Sequence, residues 1–364
     1  MGRKWLSVCL VTLLLVSAVA GTSLALQEMQ VFYLDVGQAE STLLRGPGFT
    51  ILIDAGNRDS RDVLDFLHDL GVETIDLFII THPHADHIGQ APEVLRTFEV
   101  SEVWMSGYEH STMLFEDVVD AILESDAYYY EPRAGELFQF GPLTLEVLNP
   151  AEVGTNLHDS NIVVRAVYGQ IALLFTGDAE RRAETRMLQG SQPLKAQILQ
   201  LGHHGSRTSS SLEFLLAVRP EAAIYSAGRQ NSFGHPHEEV VNRLKILGVY
   251  LYGTDQNGTI VVSTNGTSYD LVSFASGESP LPLGSGYQKD MDTQGRVELN
   301  TASFLDLQRI VHIGPARARE ILALRESFPL RSVDDLKWVS GLGPQRIEEI
   351  KQQGLAYIKG VEED

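Results

Sequence analysis

The stretch FIITHPHADHIGQ, Phe78 to Gln90, crowds His82, His84, Asp86 and His87 together directly after an apolar run. Imidazoles and a carboxylate at a strand end are costly to bury unless something satisfies them, and a divalent cation does. His82 and His84 are two apart, so on an extended chain both project to one side. The adjacent Asp86 and His87 diverge. One short turn therefore suits two metals, with His82 and His84 on one and Asp86 and His87 on the other.

Further donors follow other strand patterns. SNIVVRAVYGQIALLFTGD, Ser160 to Asp178, reads as two strands around a turn at Tyr168-Gly169-Gln170. Folding there sets Asp178 opposite Asn161, close to His158, at one sheet end. ILQLGHHGS places His203 and His204 just after another strand. One of this pair is expected as a ligand and the other behind it or at the substrate. His203 is favoured because it directly follows the glycine that ends the strand. All these donors are nitrogen or oxygen, which suits Zn²⁺, Mn²⁺ or Fe.

Around these motifs, residues 28–272 alternate β-branched runs with helical patterns. MQVFYLDV, TILIDAG, IDLFIITH, AQILQLG and AAIYSAG read as strands. SRDVLDFLHDLGV reads as a helix ended by Gly71, and helices are expected to begin near Ser211 and Pro236. Such interleaving predicts a layered α/β domain with two sheets inside. Residues 275–296 are rich in Gly, Ser and Pro and read as a linker. Beyond it lies an internal repeat. LQRIVHIGPARAREIL resembles LKWVSGLGPQRIEEIK, with Gly314 and Gly343 in matching places before a proline suited to the first helical position.

Arg3 and Lys4 precede an apolar run from Trp5 to Val19, and Ala18-Val19-Ala20 offers a small-residue cleavage site. Residues 1–26 are thus expected to be a signal peptide or an N-terminal anchor, giving a secreted or extracytoplasmic protein, with residues 5–20 as the anchor if uncleaved. No other stretch approaches the roughly 18–20 apolar residues of a membrane span, which argues against a channel or transporter. Cys9 is the only cysteine, so disulfides, thiol catalysis and thiolate metal sites beyond the leader are excluded. The formal net charge is −20. Residues 21–294 hold 16 Lys+Arg against 37 Asp+Glu, a net of −21. Residues 295–358 hold 9 against 8, a net of +1. An acidic body disfavours broad polyanion binding but not a local site where cations supply the positive charge.

The Thr-His-x-His-x-Asp-His run, with Asp54 in ILIDAG and Asp178 in LLFTGDAE, resembles the metallo-β-lactamase superfamily. The resemblance implies an αββα sandwich over residues 27–274 with two divalent metal ions, Zn or Mn. On that pattern His82, His84 and His158 hold the first metal, Asp86, His87 and His203 hold the second, and Asp178 bridges them. Asp54 orients the ligand loop through hydrogen bonds. An Asp at the bridging position points towards phosphodiesterase-like or thioesterase-like members. VFYLDVGQAES, LGHHGSRTSS and SFGHPHEEVVNRL extend the resemblance to the hydrolase domain of ComEC-type competence DNA-uptake proteins. Ala39-Glu40 departs from that family's usual Gly-Asp, and His158 stands where many relatives lack a histidine.

These likenesses imply hydrolysis of DNA, single- or double-stranded, by a hydroxide held between two metals and Asp178. His204 and His235 are then candidate catalytic groups, His235 holding a phosphate oxygen or protonating the leaving group. Ser206, Thr208 and Ser209, just before a helix, are candidate phosphate donors. Residues 297–359 resemble tandem helix-hairpin-helix units of ComEA-type DNA receptors, an all-α module. Gly314, Gly341 and Gly343 would present backbone N–H groups to phosphates, with Arg317, Arg319 and Arg346 nearby. His312 replaces a glycine in the first copy. The alternatives are a hydrolase of lactam, lactone or thioester bonds, and a non-catalytic surface DNA receptor.

Overall fold

The protein, described here from a computed structural model, is defined for residues 26–274, 281–282, 296–302 and 304–359. The expected leader and most of the expected linker lie outside the described residues. Two sheets stack face to face. The nine-stranded sheet begins at Leu281–Pro282 and runs through Tyr269–Phe274, Thr259–Thr264, Met29–Tyr33, Thr42–Gly46, Phe49–Ile53, Leu77–Ile79 and Glu102–Trp104 to Tyr128–Tyr130. The seven-stranded sheet runs from Tyr250–Gly253 through Ala222–Tyr225, Ile198–Gln200, Ile171–Phe175, Val163–Tyr168 and Leu143–Asn149 to Leu137–Phe140. Strand alternation sends Val31, Tyr33, Ile51, Ile53 and Ile79 inward against Leu145, Val147, Leu173 and Phe175, all buried between the sheets. Each such side chain taken from water stabilises the fold by about 1.5–3 kcal/mol.

Helices cover both outer faces, giving the expected αββα order. Asp62–Asp69, Ala91–Thr97 and Met113–Glu124 bury Val63, Leu67, Val94 and Val118 on the first sheet. Arg181–Gln189, Leu212–Val218 and Glu238–Leu247 bury Met187, Phe214 and Leu244 on the second. Gly71 ends the first helix in the left-handed region at φ 67°, as a C-terminal glycine does. The Tyr128–Tyr130 run forms an edge strand whose Tyr128 and Tyr129 are exposed and whose Tyr130 packs against Trp104 and Phe138. Leu281–Pro282, inside the expected linker, pairs with Val272 and Ser273 as another edge strand.

The tail forms a small helical unit closed by the parallel pair Val297–Glu298 and Ala356–Tyr357. Its helices are Phe304–Leu307, Pro315–Ser327 and Pro344–Gln353, and the first element of the second copy is a 3₁₀ helix, Val333–Trp338. Leu307, Ile310, Ile321, Leu336 and Ile350 are buried in a cluster continuous with the helices outside the second sheet, and Phe304–Leu307 lies against Glu238–Leu247. The tail is therefore packed on the body rather than hung from it.

Candidate metal centre

In the first sheet Phe49–Ile53, Leu77–Ile79 and Glu102–Trp104 run parallel. In the second, Ile171–Phe175, Ile198–Gln200 and Ala222–Tyr225 do. Chain segments leaving the carboxyl ends of parallel strands form the crevice where α/β folds bind ligands. Asp54, His82, Asp178, His204 and Ser226 all leave such ends.

The hairpin pairs Val164 with Phe175 and Tyr168 with Ile171, which continues to the expected Asn161–Asp178 apposition. Asn161 Oδ1 accepts the Asp178 N–H at 2.9 Å, so a buried amide holds the Asp178 backbone. The Asp178 carboxylate divides its oxygens. Oδ2 lies 3.5 Å from His82 Nε2 and Oδ1 lies 3.3 Å from His87 Nε2. His84 meets His82 edge-on at 4.8 Å, and His158 lies 5.8 Å from His82 and 5.2 Å from His84, ring centre to ring centre. His82 Nε2, His87 Nε2, His158 Nδ1 and Asp178 Oδ1 are buried without a hydrogen-bond partner. His82, His87 and Asp178 bring ligand atoms within 4.8 Å of one another, which is costly when unsatisfied and a sensible donor set for divalent cations.

Asp54 braces this set from behind. Its carboxylate accepts the Thr81 N–H at 2.8 Å and the Thr81 hydroxyl and His87 Nδ1 at 2.7 Å each. That bond fixes the His87 ring and aims Nε2 at the cavity. Burial opposes charge on His87, but the carboxylates of Asp178 and Asp54 outweigh it and raise its pKa well above the usual histidine range. Burial likewise opposes charge on Asp178, yet His87, His204 and His82 hold its pKa well below the carboxylate range. Burial lowers His82, and lowers His84 to about 4.

At the His-His pair the geometry differs from the sequence expectation. His204, not His203, joins Asp86 and His87. His204 is 2% exposed with Nε2 3.2 Å from Asp86 Oδ2, and its Nδ1 donates to the Ser226 carbonyl at 2.9 Å. His203 is 25% exposed, 3.6 Å from Asp178 Oδ2 and 3.3 Å from Glu180 Oε1. It forms a separate potential donor group with His158 and Glu180. The reason is local backbone. His203 and His204 both adopt left-handed φ, 51° and 55°, at roughly 1–2 kcal/mol each. A rule for extended chain leaving a strand does not apply there.

Glu40 is buried behind the centre, where the sequence assigns it no role. Its carboxylate accepts Gln200 Nε2 at 2.9 Å and the hydroxyls of Thr42 and Ser226 at 3.2 Å each. Gln200 Oε1 in turn accepts the N–H groups of Thr176 and Gly177 at 2.8 and 3.0 Å, one step before Asp178. Glu40 N–H donates to the Asp86 carbonyl at 3.0 Å. Glu40 thus ties the segment carrying Asp86 through its backbone N–H, and those carrying Asp178 and, through Ser226, His204 by its carboxylate. Burial raises the Glu40 pKa, with His204 and His87 pulling it back.

The expected phosphate donors are largely spent internally. Ser209 is buried and donates to the Ala179 carbonyl at 2.8 Å. Ser206 is buried and bonded to Thr208 at 2.9 Å, so only Thr208 keeps an exposed hydroxyl. The helix end beyond them already holds an anion, since the Glu184 carboxylate accepts the N–H groups of Ser210 and Ser211. His235 does border the centre, 5.7 Å from His203 and 5.9 Å from His204 between ring centres. Burial lowers its pKa to about 4.

In the tail, His312 takes φ 66° where the second copy uses Gly341 at φ 75°, so the two turns share a shape despite the substitution. The His312 ring is tied to Glu349. Arg317 donates to the carbonyls of His312 and Ser340, and Arg346 to that of Gly341. These arginines close the turns, which differs from the free phosphate-reaching role expected. The Arg319 side chain lies outside the described residues.

Two stacked sheets, outer helices and a His/Asp centre at the carboxyl edge define a metallo-hydrolase fold. The metallo-beta-lactamase superfamily model matches residues 34–229, more than half of the chain, and the chain belongs to that superfamily. A helix-hairpin-helix motif model matches residues 292–353. ComE operon protein 3 of Bacillus subtilis (strain 168) is 30% identical over 253 residues, covering 64% of this chain and 33% of that protein. Competence protein ComA of Neisseria gonorrhoeae is 32% identical over 241 residues, covering 64% of this chain and 32% of that protein. A deoxyribonuclease of Thioalkalivibrio sp. (strain K90mix) is 43% identical over 65 residues, covering 18% of this chain and 17% of that protein. The chain thus spans about a third of the length of the two competence relatives it matches.

Proposed function

We propose that this chain is an exported, metal-dependent phosphodiesterase that hydrolyses DNA, with the helix-hairpin-helix tail holding the substrate. The observation that carries the proposal is the convergence of unpartnered, buried His and Asp atoms on Asp178. His82, His84 and His158 would hold one cation, and Asp86, His87 and His204 a second, with Asp178 between them. When bound, Zn²⁺ or Mn²⁺ supplies Lewis acidity to phosphate oxygens and brings the pKa of water towards 7.

The chain's own groups do the rest. Asp54 fixes the His87 ring, and Asn161 and Gln200 hold the Asp178 segment. Gln38 Nε2 faces His235 Nδ1 at 3.4 Å, which leaves the ring proton on Nε2 as a donor for a phosphate oxygen. In the tail, a Cβ added at Gly314 or Gly343 meets nothing within 4 Å, and neither backbone needs positive φ. No internal packing demands glycine there, which suits close approach by an external phosphate. Relatives named for competence and a deoxyribonuclease support the DNA reading.

Purified protein loaded separately with Zn²⁺ and Mn²⁺ is tested against plasmid, single-stranded DNA, and chromogenic lactams, lactones and thioesters. Chelator-sensitive DNA cleavage lost in Asp178→Ala is expected. Turnover of the esters or lactams alone, or DNA binding without bound metal, would replace the proposal with another hydrolase or with an inert receptor.

A further inference from the structure

Phe233 is 63% exposed at the tip of the loop between Gly228 and His237. Its ring stacks on His235 at 5.7 Å with 19° between planes, and His235 stacks on His204 at 5.9 Å and 24°. A column of three parallel rings therefore leads from solvent to the metal centre.

Hydrogen bonds fix the loop on either side of that ring. Asn231 donates to the carbonyls of Gly228 and His235 at 3.0 and 2.7 Å and accepts the His235 N–H at 2.9 Å. Gln38, in the loop between Met29–Tyr33 and Thr42–Gly46, accepts the Gly228 N–H at 3.1 Å. The ring keeps most of its surface in water although hydrogen bonds fix the loop on either side of it.

Charge indicates what the ring meets. The body is net −21 over residues 21–294, so it draws little affinity from a phosphate backbone. Base–aromatic stacking is the other general source of affinity for nucleic acid, and it requires an unstacked, unpaired base. A duplex keeps its bases stacked and leaves no free base face for the ring.

We propose that Phe233 is a stacking platform for an unpaired nucleobase beside the scissile phosphodiester, so that the substrate entering this centre is single-stranded. The proposal rests on the nuclease reading for its meaning, and its test does not depend on cleavage. Oligonucleotides carrying 5-iodouracil at successive positions are irradiated with the full-length, metal-free protein, and the crosslinks are mapped by mass spectrometry. Crosslinking at Phe233 with single strands, and not with duplex, is expected. Crosslinks confined to the tail would overturn the proposal. If the wild type cleaves no nucleic acid, the nuclease reading fails while the crosslink still decides the platform.

Where cleavage is measured, Phe233→Ala should raise KM for base-bearing single strands by about 5- to 150-fold, the range one stacked base supplies. Cleavage of an abasic strand should lose much less than cleavage of a base-bearing one. Phe233→Trp should retain the wild-type KM and Phe233→Leu should not. Equal losses on base-bearing and abasic strands would mean that the loop is merely structural and would also overturn the proposal.

Discussion

Glu40→Gln isolates what holds the two halves of the metal centre together. The substitution keeps the shape but makes one carboxylate oxygen an amide donor. If that amide faces Gln200 Nε2, two donors meet and the 2.9 Å bond is lost. If it faces Thr42 and Ser226, their hydroxyls must turn to accept, and the bond to Gln200 persists without its charge. A buried hydrogen bond to a charged group contributes about 1.5–3 kcal/mol, so a stability loss of about 1–3 kcal/mol is expected. Because Gln200 holds Thr176 and Gly177 ahead of Asp178, the error propagates to Asp178 and the candidate metal centre. Such outer partners typically carry about 10–100-fold in metal affinity. The double variant Glu40→Gln, Gln200→Glu provides the control. A glutamate at 200 can accept from Thr176, Gly177 and the new amide, so every hydrogen bond is restored with one charge. Urea unfolding gives the stability, and calorimetric titration with Mn²⁺ or Zn²⁺ gives the affinity. Unchanged metal affinity in the single variant would refute the reasoning. So would a folded double variant that recovers none of it.

Two further outcomes follow from the geometry. Asp178 and Asp54 raise the His87 pKa, which favours the protonated ring in the metal-free protein, and a proton on Nε2 must leave before that atom binds metal. Metal uptake should therefore release protons near neutral pH, read from the dependence of binding heat on buffer ionisation enthalpy, and affinity should fall as pH falls. Independence from the buffer would contradict the assigned charge. In the tail, Gly341→Ala puts a Cβ into left-handed backbone 2.9 Å from the Arg317 guanidinium, costing roughly 1–2 kcal/mol from the backbone alone. Tail protection in hydrogen exchange should drop in this variant, and in Arg317→Ala, before any DNA is added. Unaltered exchange would return Arg317 to a purely DNA-facing role.

Much of the centre was legible in the chain. Apolar runs followed at once by His or Asp mark strands whose carboxyl ends carry ligands, and the hairpin count from Gly169-Gln170 set Asp178 against Asn161 without any coordinates. These readings rest on period-two alternation and on the cost of burying unsatisfied polar groups, both local properties. The repeat in the tail was visible for the same reason, since its turns and glycines recur at fixed offsets.

What lay beyond the sequence depended on separate segments meeting. His203 and His204 exchange expected places because two successive left-handed residues turn the chain, and no pattern of residue types announces that. Ser209 and the helix end after it look free until Ala179 and Glu184 arrive from an earlier strand end and helix. Glu40 carries no signal by itself. Its position matters only because Gln200 and Ser226, from the opposite sheet, converge on one buried carboxylate. Sequence determined which donors exist and which strand ends bear them. Only the stacking of the two sheets decided which donors share a cation site, because that depends on distances across the interface rather than on spacing along the chain.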